Sequence, residues 1–258
     1  MDSVNKTLYI PLYGKAYVSR RGLFLRDAKA EEIWAAAGFP LRGKARSKWL
    51  AYTMGMRAAV FDRWLETQME ALPKAVVLHV GCGLDSRVLR VGTRGHRWFD
   101  VDFPEVIAQR KQHFAETEDY RMVPSDIRDA AWLEAVPRDV PAIIVMEGVS
   151  MYLPLAELNF VLEQWRARFS EVHLLMDTYT TFAAKATRYK NPINEVGVTQ
   201  VYGFDTPQEV TALEFVREHD LTPDEMIRQL KKSEQRLFRL LFAGKLAKNI
   251  YRLYEYQA

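Results

Sequence analysis

Two glycines and a later aspartate are the residues whose types and spacing point most directly to chemistry. Gly81 and Gly83 follow the apolar run of residues 76–80 and allow a tight turn that a ligand can approach closely. Asp102 closes the next apolar run about 20 residues after Gly81, where a carboxylate can accept the two hydroxyls of a ribose. The pattern predicts a pocket for a nucleoside cofactor.

The kind of cofactor depends on Ser86, which stands where a dinucleotide-binding turn usually carries a third glycine. The serine disfavours a nicotinamide or flavin dinucleotide, because the pyrophosphate of such a cofactor requires close packing of helix and strand. S-adenosylmethionine carries no phosphate, so a turn with two glycines is sufficient for it. A tight turn that binds no ligand is the alternative.

Two more acidic residues follow later apolar runs. Asp126 is placed to accept the amino group of an adenine, with Ile127 covering the ring, and Glu147 can pair with a ligand ammonium group. Each acid alone is equally typical of a helix cap or a surface position. Since strand ends meet at one sheet edge, however, the acids would lie together there. With the glycine turn, they favour a cofactor pocket.

The alternation of apolar segments predicts a doubly wound α/β fold, which would bring these residues together. Strands are expected near residues 75–80, 97–101, 120–123, 141–146 and 171–176. Helices are expected to begin at Pro104, running through Phe114, and at Pro154. Parallel strands joined by right-handed crossovers place their carboxyl ends at one edge, where ligands bind in such sheets.

The segments on either side of this alternation differ from it. Ala28 to Ala37 is predicted to be a helix, and a longer helix from Ser47 to Leu72 carries Arg57 beside its apolar stripe. Residues 178–206 are rich in Tyr, Thr and Asn, which predicts either a lid over the site or an irregular surface segment. The string NIYRLYEYQ near the end predicts a final antiparallel strand, at an edge or inserted.

Composition excludes several classes of protein. With 258 residues, 48% hydrophobic and 27% charged, the chain suits one α/β domain. It has no run of 18 apolar residues, so no membrane span is expected, and its start lacks the pattern of an export signal. The single cysteine, Cys82, excludes an internal disulfide and a cysteine metal cluster. These features together predict a cytoplasmic location.

Metal and nucleic-acid sites are not expected either. The five histidines show no metal-ligand spacing, and His79, inside the first strand, is expected to be a core residue. The net charge is only +3. Acids interrupt the densest basic stretch, from Arg228 to Arg252, so a solvated helix face is favoured over a nucleic-acid surface.

Longer strings resemble a known family. VVLHVGCGLDSR, WFDVDFPEVIAQRK and MEGVSMYLP, with TLYIPLYGKAYVSRR and MRAAVFD, resemble the leucine carboxyl methyltransferase family, in particular its bacterial branch related to tetracenomycin polyketide O-methyltransferases. The resemblance extends from about residue 7 to residue 177. It implies a Rossmann-like class I methyltransferase fold, with a mostly parallel seven-stranded sheet flanked by helices and added N-terminal helices. Residues 1–258 would form one domain, with 1–72 as a helical cap and 178–225 as a substrate lid region.

By this resemblance the cofactor is S-adenosyl-L-methionine, and its methionine part would lie near three residues. Arg57 would hold the carboxylate as a bidentate partner. Gly81 would let the methionine part lie on the turn, and Glu147 would take the amino group.

The nucleoside part and the acceptor would lie near other residues. Asp102 would take the ribose hydroxyls, and Asp126 with Ile127 would hold the adenine. Tyr152 is the candidate catalytic residue, because it would pack over the cofactor or face the acceptor. The alternative for Tyr152 is a core or rim aromatic residue.

The reaction implied is O-methyl transfer to a small molecule, with polyketide-like compounds among the candidates. A carboxylate acceptor is favoured over a hydroxyl because a carboxylate is already ionised at neutral pH. No metal, membrane or nucleic acid is expected to take part. Two alternatives remain: a nicotinamide-dependent Rossmann oxidoreductase and a non-catalytic protein that binds S-adenosylmethionine.

Overall fold

One mixed sheet organises the computed structural model, which describes residues 7–186 and 200–258. Within these ranges its strands are β1 (Val76–Val80), β2 (Trp98–Asp102), β3 (Tyr120–Pro124), β4 (Pro141–Met146), β5 (Glu171–Tyr179), β6 (Glu214–Glu218) and β7 (Tyr251–Gln257). Their order is β3-β2-β1-β4-β5-β7-β6. The first five are parallel, and β7 runs antiparallel to both of its neighbours. The predicted fold class, a mostly parallel seven-stranded sheet flanked by helices, is confirmed.

Helices precede the sheet and cover both of its faces. They are α1 (Tyr9–Ser19), α2 (Ala28–Ala37), α3 (Lys48–Ala71), α4 (Arg87–Val91), α5 (Pro104–Arg110), α6 (Leu155–Arg168), α7 (Thr181–Ala186), α8 (Asp224–Ile227), α9 (Lys232–Phe242) and α10 (Lys245–Lys248). In the described part of the chain, no helix is both long enough and apolar enough to cross a bilayer.

The central strands are buried on both faces, which explains their continuous apolar character. Val77, Ile143 and Val145 belong to the core that includes α1 and α3. Leu78 and Ile144 belong to the opposite core, under α6. These two layers hold the strands in place, and they thereby position the loops that follow the carboxyl ends of the strands.

Two predicted boundaries were wrong. The helix that begins at Pro104 ends at Arg110 and not at Phe114, because the chain turns so that the Phe114 ring packs 4.1 Å from the Arg110 guanidinium. Strand β5 continues to Tyr179, three residues beyond its predicted end, because β7 pairs with it as far as Tyr251.

The C-terminal strand predicted from NIYRLYEYQ is β7, and it is inserted between β5 and β6. Strand β6 was not predicted individually, since every residue from Glu214 to Glu218 is exposed at the sheet edge. This strand falls within the predicted lid region of residues 178–225. Residues 187–199 of that region lie outside the described residues, so the lid stays a prediction.

Candidate active site

A cavity of about 1140 Å³ opens at the carboxyl ends of β1, β2 and β4. Every site residue predicted from the sequence lines it: Arg57, Gly81, Asp102, Asp126, Ile127, Glu147 and Tyr152. A pocket for one small molecule usually measures roughly 300–1,000 Å³. The cavity therefore has room for a cofactor and a second ligand.

The glycine turn after β1 is shaped by a close approach between two loops. Gly81 has a φ of +65°, and a Cβ at this position would lie 2.1 Å from Cγ2 of Val149, in the loop after β4. Gly83 has a φ of +50° and donates its backbone N–H to Oδ2 of Asp102 at 2.7 Å. Both positions favour glycine on conformational grounds, and Gly81 also on steric grounds.

Asp102 is held at the cavity wall by two backbone donors. Besides the Gly83 N–H, it accepts the N–H of Phe103 at 2.8 Å. Burial raises the pKa of the Asp102 carboxyl to about 6, although these hydrogen bonds and Arg110 act in the opposite direction. The carboxylate is thus fixed in orientation and ionised at neutral pH, as a partner for ligand hydroxyls must be.

Arg57 points from the middle of α3 to the strand ends and is 5% exposed. Its Nε and Nη2 lie 3.0 and 2.9 Å from Oε1 of Glu147. Nη1 donates to Oδ2 of Asp177 at 2.9 Å and to the hydroxyl of Tyr251 at 2.6 Å. Although burial opposes the charged form, these three groups raise the pKa of Arg57 well above its usual value.

Gly148 borders the Arg57 guanidinium in the cavity wall. It has a φ of +75°, and a Cβ there would lie 3.6 and 3.7 Å from Nη1 and Nη2 of Arg57. Both residues line the cavity, so a side chain at position 148 would lie between the guanidinium and a ligand beside it. The role of Arg57 towards a cofactor carboxylate stays a prediction.

Glu147 lies between two buried arginines, Arg57 and Arg87. Burial opposes its ionisation, but the two guanidinium groups hold the pKa of Glu147 at about 2. Arg87 in turn pairs with Asp62 at 2.7 Å. Glu147 is therefore a permanent anion in the cavity wall, suited to a ligand ammonium group.

Asp126 and Ile127 lie beyond β3 in the same cavity. The side chain of Arg128 holds the Asp126 carboxylate, with its Nε 3.0 Å from each carboxylate oxygen. This pairing, together with the Arg128 backbone N–H, lowers the pKa of Asp126 despite partial burial. The carboxylate is charged and lies at the mouth of the cavity, where a ligand amino group would meet it in competition with Arg128.

Tyr152 ends the short 3₁₀ helix Ser150–Tyr152, after β4. Burial raises the pKa of its phenol, although a hydrogen bond to Thr7 acts in the opposite direction. Its ring packs with Met151 and Val201. Tyr152 thus combines a cavity-lining position with the packing expected of a rim aromatic residue.

Sequence reasoning missed three members of the cluster. Lys15, on α1, is 3% exposed, lines the cavity and lies 3.0 Å from Oδ2 of Asp85. Tyr251 reaches Arg57 across 194 residues of sequence. Asp177, within β5, accepts from Nη1 of Arg57 at 2.9 Å. Its position after an apolar run is the signal that could have identified it.

Proton acceptors are scarce in the described part of the cavity. Every carboxylate that lines it already has a partner: Asp85, Asp102, Glu105, Asp126 and Glu147. His79 also lines the cavity, but it is buried, with Nε2 2.9 Å from Nη1 of Arg87, and burial lowers its pKa. Among the described residues, no group of three or more His, Cys, Asp or Glu side chains is placed to hold a metal ion.

Comparison with known proteins identifies related chains. The model of the leucine carboxyl methyltransferase family matches residues 8–165. The tetracenomycin polyketide synthesis O-methyltransferase of Streptomyces glaucescens is 29% identical over 210 residues, covering 81% of this chain and 78% of the relative. An S-adenosyl-L-methionine-dependent methyltransferase of Gibberella zeae is 29% identical over 182 residues, covering 65% of this chain and 61% of the relative.

The fold also matches solved structures. A protein of Thermobifida fusca, assigned as a methyltransferase, has a TM-score of 0.61 at 16% identity, with 94% of this chain and 93% of that chain covered. At this identity the likeness supports the fold alone.

Proposed function

The chain belongs to the leucine carboxyl methyltransferase family, and from that premise we propose that it transfers the methyl group of S-adenosylmethionine to an oxygen of a small-molecule acceptor. One observation carries the proposal: a single cavity joins the glycine turn, Asp102 and the Arg57–Glu147 pair, with room for a second ligand. The family match favours this function over the nicotinamide-dependent oxidoreductase, which Ser86 also disfavours.

The residues present fit the proposed cofactor from end to end. Arg57 would hold its carboxylate on the side that Gly148 borders, and Glu147 would take its ammonium group. Asp102 would accept the ribose hydroxyls. When bound, S-adenosylmethionine would supply a methyl group on a positively charged sulfur. The acceptor oxygen would attack that methyl group in line, and the carbon–sulfur bond would break to leave the neutral thioether.

The adenine would lie between the wall after β3 and the mouth of the cavity. Ile127 would cover the ring, and Asp126 would accept the exocyclic amino group in place of one bond from Arg128. Arg128 is 53% exposed at its side chain, so it can turn towards solvent when the adenine binds.

The rest of the cavity suits an apolar acceptor. Its wall includes Leu8, Ile10, Leu50, Met54, Met151, Phe182, Leu241 and Ile250. Such a wall would bind an extended hydrophobic molecule, with polyketide-like compounds as candidates. Tyr152 would orient the acceptor where this apolar wall meets the part of the cavity that would hold the cofactor.

A carboxylate acceptor is favoured over a hydroxyl because of the partners that the cavity acids already have. A carboxylate is ionised at pH 7 and needs no base, whereas a phenol with a pKa of about 10 does. Every acid lining the described cavity is engaged, and Nε2 of His79 lies 2.9 Å from the Arg87 guanidinium. The protein would then act mainly by positioning and desolvation, which can supply roughly 7–11 kcal/mol.

A small-molecule acceptor and a cytoplasmic location complete the proposal. The basic stretch near the C-terminus is partly neutralised, since Arg228 and Arg239 each pair with Asp224 at 2.7 Å. This pairing supports a solvated helix face over a nucleic-acid surface. The lone buried cysteine, Cys82, suits a reducing compartment.

The experiment is methyl transfer from methyl-labelled S-adenosylmethionine to matched aromatic acceptors, each carboxylic acid paired with its phenol. We expect label in the carboxylic acids, released as methanol by mild alkali because the product is an ester. Alkali-stable label confined to the phenols would contradict the preference for a carboxylate. Binding of S-adenosylhomocysteine with no transfer to any acceptor would favour the non-catalytic alternative.

A further inference from the structure

Tyr251 lies where β7, the last strand along the chain, reaches the cavity. It is the first residue of β7 and lies opposite Tyr179 in the antiparallel register. Both tyrosines line the cavity, and their rings meet edge to face with centroids 5.1 Å apart. The chain thus returns, close to its C-terminus, to the side of the cavity that Arg57 occupies.

The hydroxyl of Tyr251 takes part in two short hydrogen bonds. It accepts from Nη1 of Arg57 at 2.6 Å and donates to Oδ2 of Asp177 at 2.5 Å. Asp177, which is fully buried, also accepts from Nη1 of Arg57 at 2.9 Å and from the backbone N–H of Gly148 at 2.7 Å. The Tyr251 hydroxyl and both carboxylate oxygens of Asp177 therefore have partners.

We propose that Tyr251 is a positioning residue that, together with Asp177, sets the Arg57 guanidinium for the carboxylate of the cofactor. This inference rests on the proposed function. Glu147 fixes one edge of the guanidinium and the Tyr251–Asp177 pair fixes the other, so its plane is defined before a ligand arrives. A side chain immobilised in this way loses less conformational freedom on binding than a free arginine would.

A tyrosine suits this position better than another acid or a phenylalanine would. Its hydroxyl supplies an acceptor to Arg57 without adding a negative charge that would repel the incoming carboxylate. Burial raises the pKa of the Tyr251 phenol well above its usual value, although Arg57 acts in the opposite direction, so the group stays protonated. The hydroxyl proton points to Asp177, so the Asp177 carboxylate accepts from Tyr251 and Arg57 as well as from the Gly148 N–H.

The test compares Tyr251→Phe with wild type for two ligands. S-adenosylhomocysteine carries the amino-acid carboxylate, whereas 5′-methylthioadenosine carries the same nucleoside without it. Because the substitution removes the hydroxyl that contacts Arg57 and its partner Asp177, we expect the dissociation constant of S-adenosylhomocysteine to rise roughly tenfold, the effect of one charge-assisted hydrogen bond. The constant for 5′-methylthioadenosine should stay within about twofold. Isothermal titration calorimetry measures both.

Tyr256→Phe is the matched control. It makes the same chemical change on the same strand, at a buried residue whose hydroxyl donates to the Pro207 carbonyl at 3.1 Å and not to Arg57. We expect it to leave both dissociation constants unchanged. An Arg57→Ala background provides a second check, because Tyr251→Phe should add no further loss once its target is gone.

Several results would overturn the proposal. Equal weakening of both ligands by Tyr251→Phe would indicate general packing, and an unchanged constant for S-adenosylhomocysteine would show that the hydroxyl does not set Arg57. If the phenylalanine variant fails to fold, Asp177→Asn carries the test with the same criteria. A wild-type protein that binds neither ligand would instead refute the proposed function, so the two failures are distinguishable.

Discussion

The affinity for the cofactor should depend on pH through Asp102. The carboxylate must be ionised to accept two ribose hydroxyls, and burial raises its pKa in the free protein to about 6. The ionised fraction therefore increases with pH and is nearly complete above pH 7. Below pH 6, most molecules carry a protonated Asp102 that must lose its proton before the cofactor binds, which weakens binding.

The magnitude follows from that pKa. With a pKa of about 6, roughly one molecule in ten has an ionised Asp102 at pH 5, so the dissociation constant of S-adenosylhomocysteine should rise about tenfold between pH 7.5 and pH 5. This corresponds to about 1.4 kcal/mol of binding free energy. Titration calorimetry at half-unit intervals of pH would measure the change.

Asp102→Asn is the matched control, because asparagine keeps the shape of the side chain and cannot titrate. The variant should bind more weakly at pH 7.5 and show little change of affinity down to pH 5. A wild-type affinity that stays constant over this range would refute the reasoning. So would an asparagine variant with the wild-type slope, which would transfer the pH dependence to another group such as His79, whose pKa is lowered by burial.

Three further predictions follow from the packing and charge of the cavity. Gly81→Ala should lower the free energy of unfolding, measured in urea, by about 2–4 kcal/mol, because the alanine adopts a positive φ and its Cβ clashes with Val149. The control Gly95→Ala has a positive φ but open space around its Cβ, so it should lower this free energy by only about 1 kcal/mol; equal losses would show that the clash is relieved. Phe182→Ala removes a ring that lines the cavity, so it should raise the KM for the acceptor about threefold to tenfold without changing cofactor affinity. Phe160 is exposed outside the cavity, so Phe160→Ala should change neither value, as steady-state kinetics with both substrates would measure. Glu147 has a folded-state pKa of about 2, so its ionised form should add on the order of 3 kcal/mol to the free energy of unfolding above about pH 4.5, and this stability is lost as the pH falls towards 2. Glu147→Gln should therefore show a shallower loss of stability in acid, and an unchanged slope would contradict the lowered pKa.

The features predicted correctly from the sequence are those set by short stretches of chain. The strand of residues 76–80, the turn at Gly81 and the carboxylate at Asp102 follow from one apolar run, two glycines and a spacing. Five parallel strands then follow from the same pattern, because their carboxyl ends must share an edge. That edge places Gly81, Asp102, Asp126 and Glu147 in one cavity, whereas Arg57 reaches it from helix α3.

Contacts between distant segments could not be predicted in this way. Tyr251 and Arg57 are 194 residues apart, and only the antiparallel insertion of β7 brings them together. Nothing in the composition of α1 distinguishes the buried Lys15 from a surface lysine. The pairing of Asp126 with Arg128, in contrast, spans two residues and was accessible from the string SDIRD.

The most direct test of the central claim is a calorimetric titration of the wild-type protein with S-adenosylhomocysteine and, separately, with NAD. We predict binding of S-adenosylhomocysteine at one site, with a dissociation constant in the micromolar range typical of enzyme ligands, and no measurable heat with NAD. Tight binding of NAD without a response to S-adenosylhomocysteine would contradict the assignment of this cavity to S-adenosylmethionine.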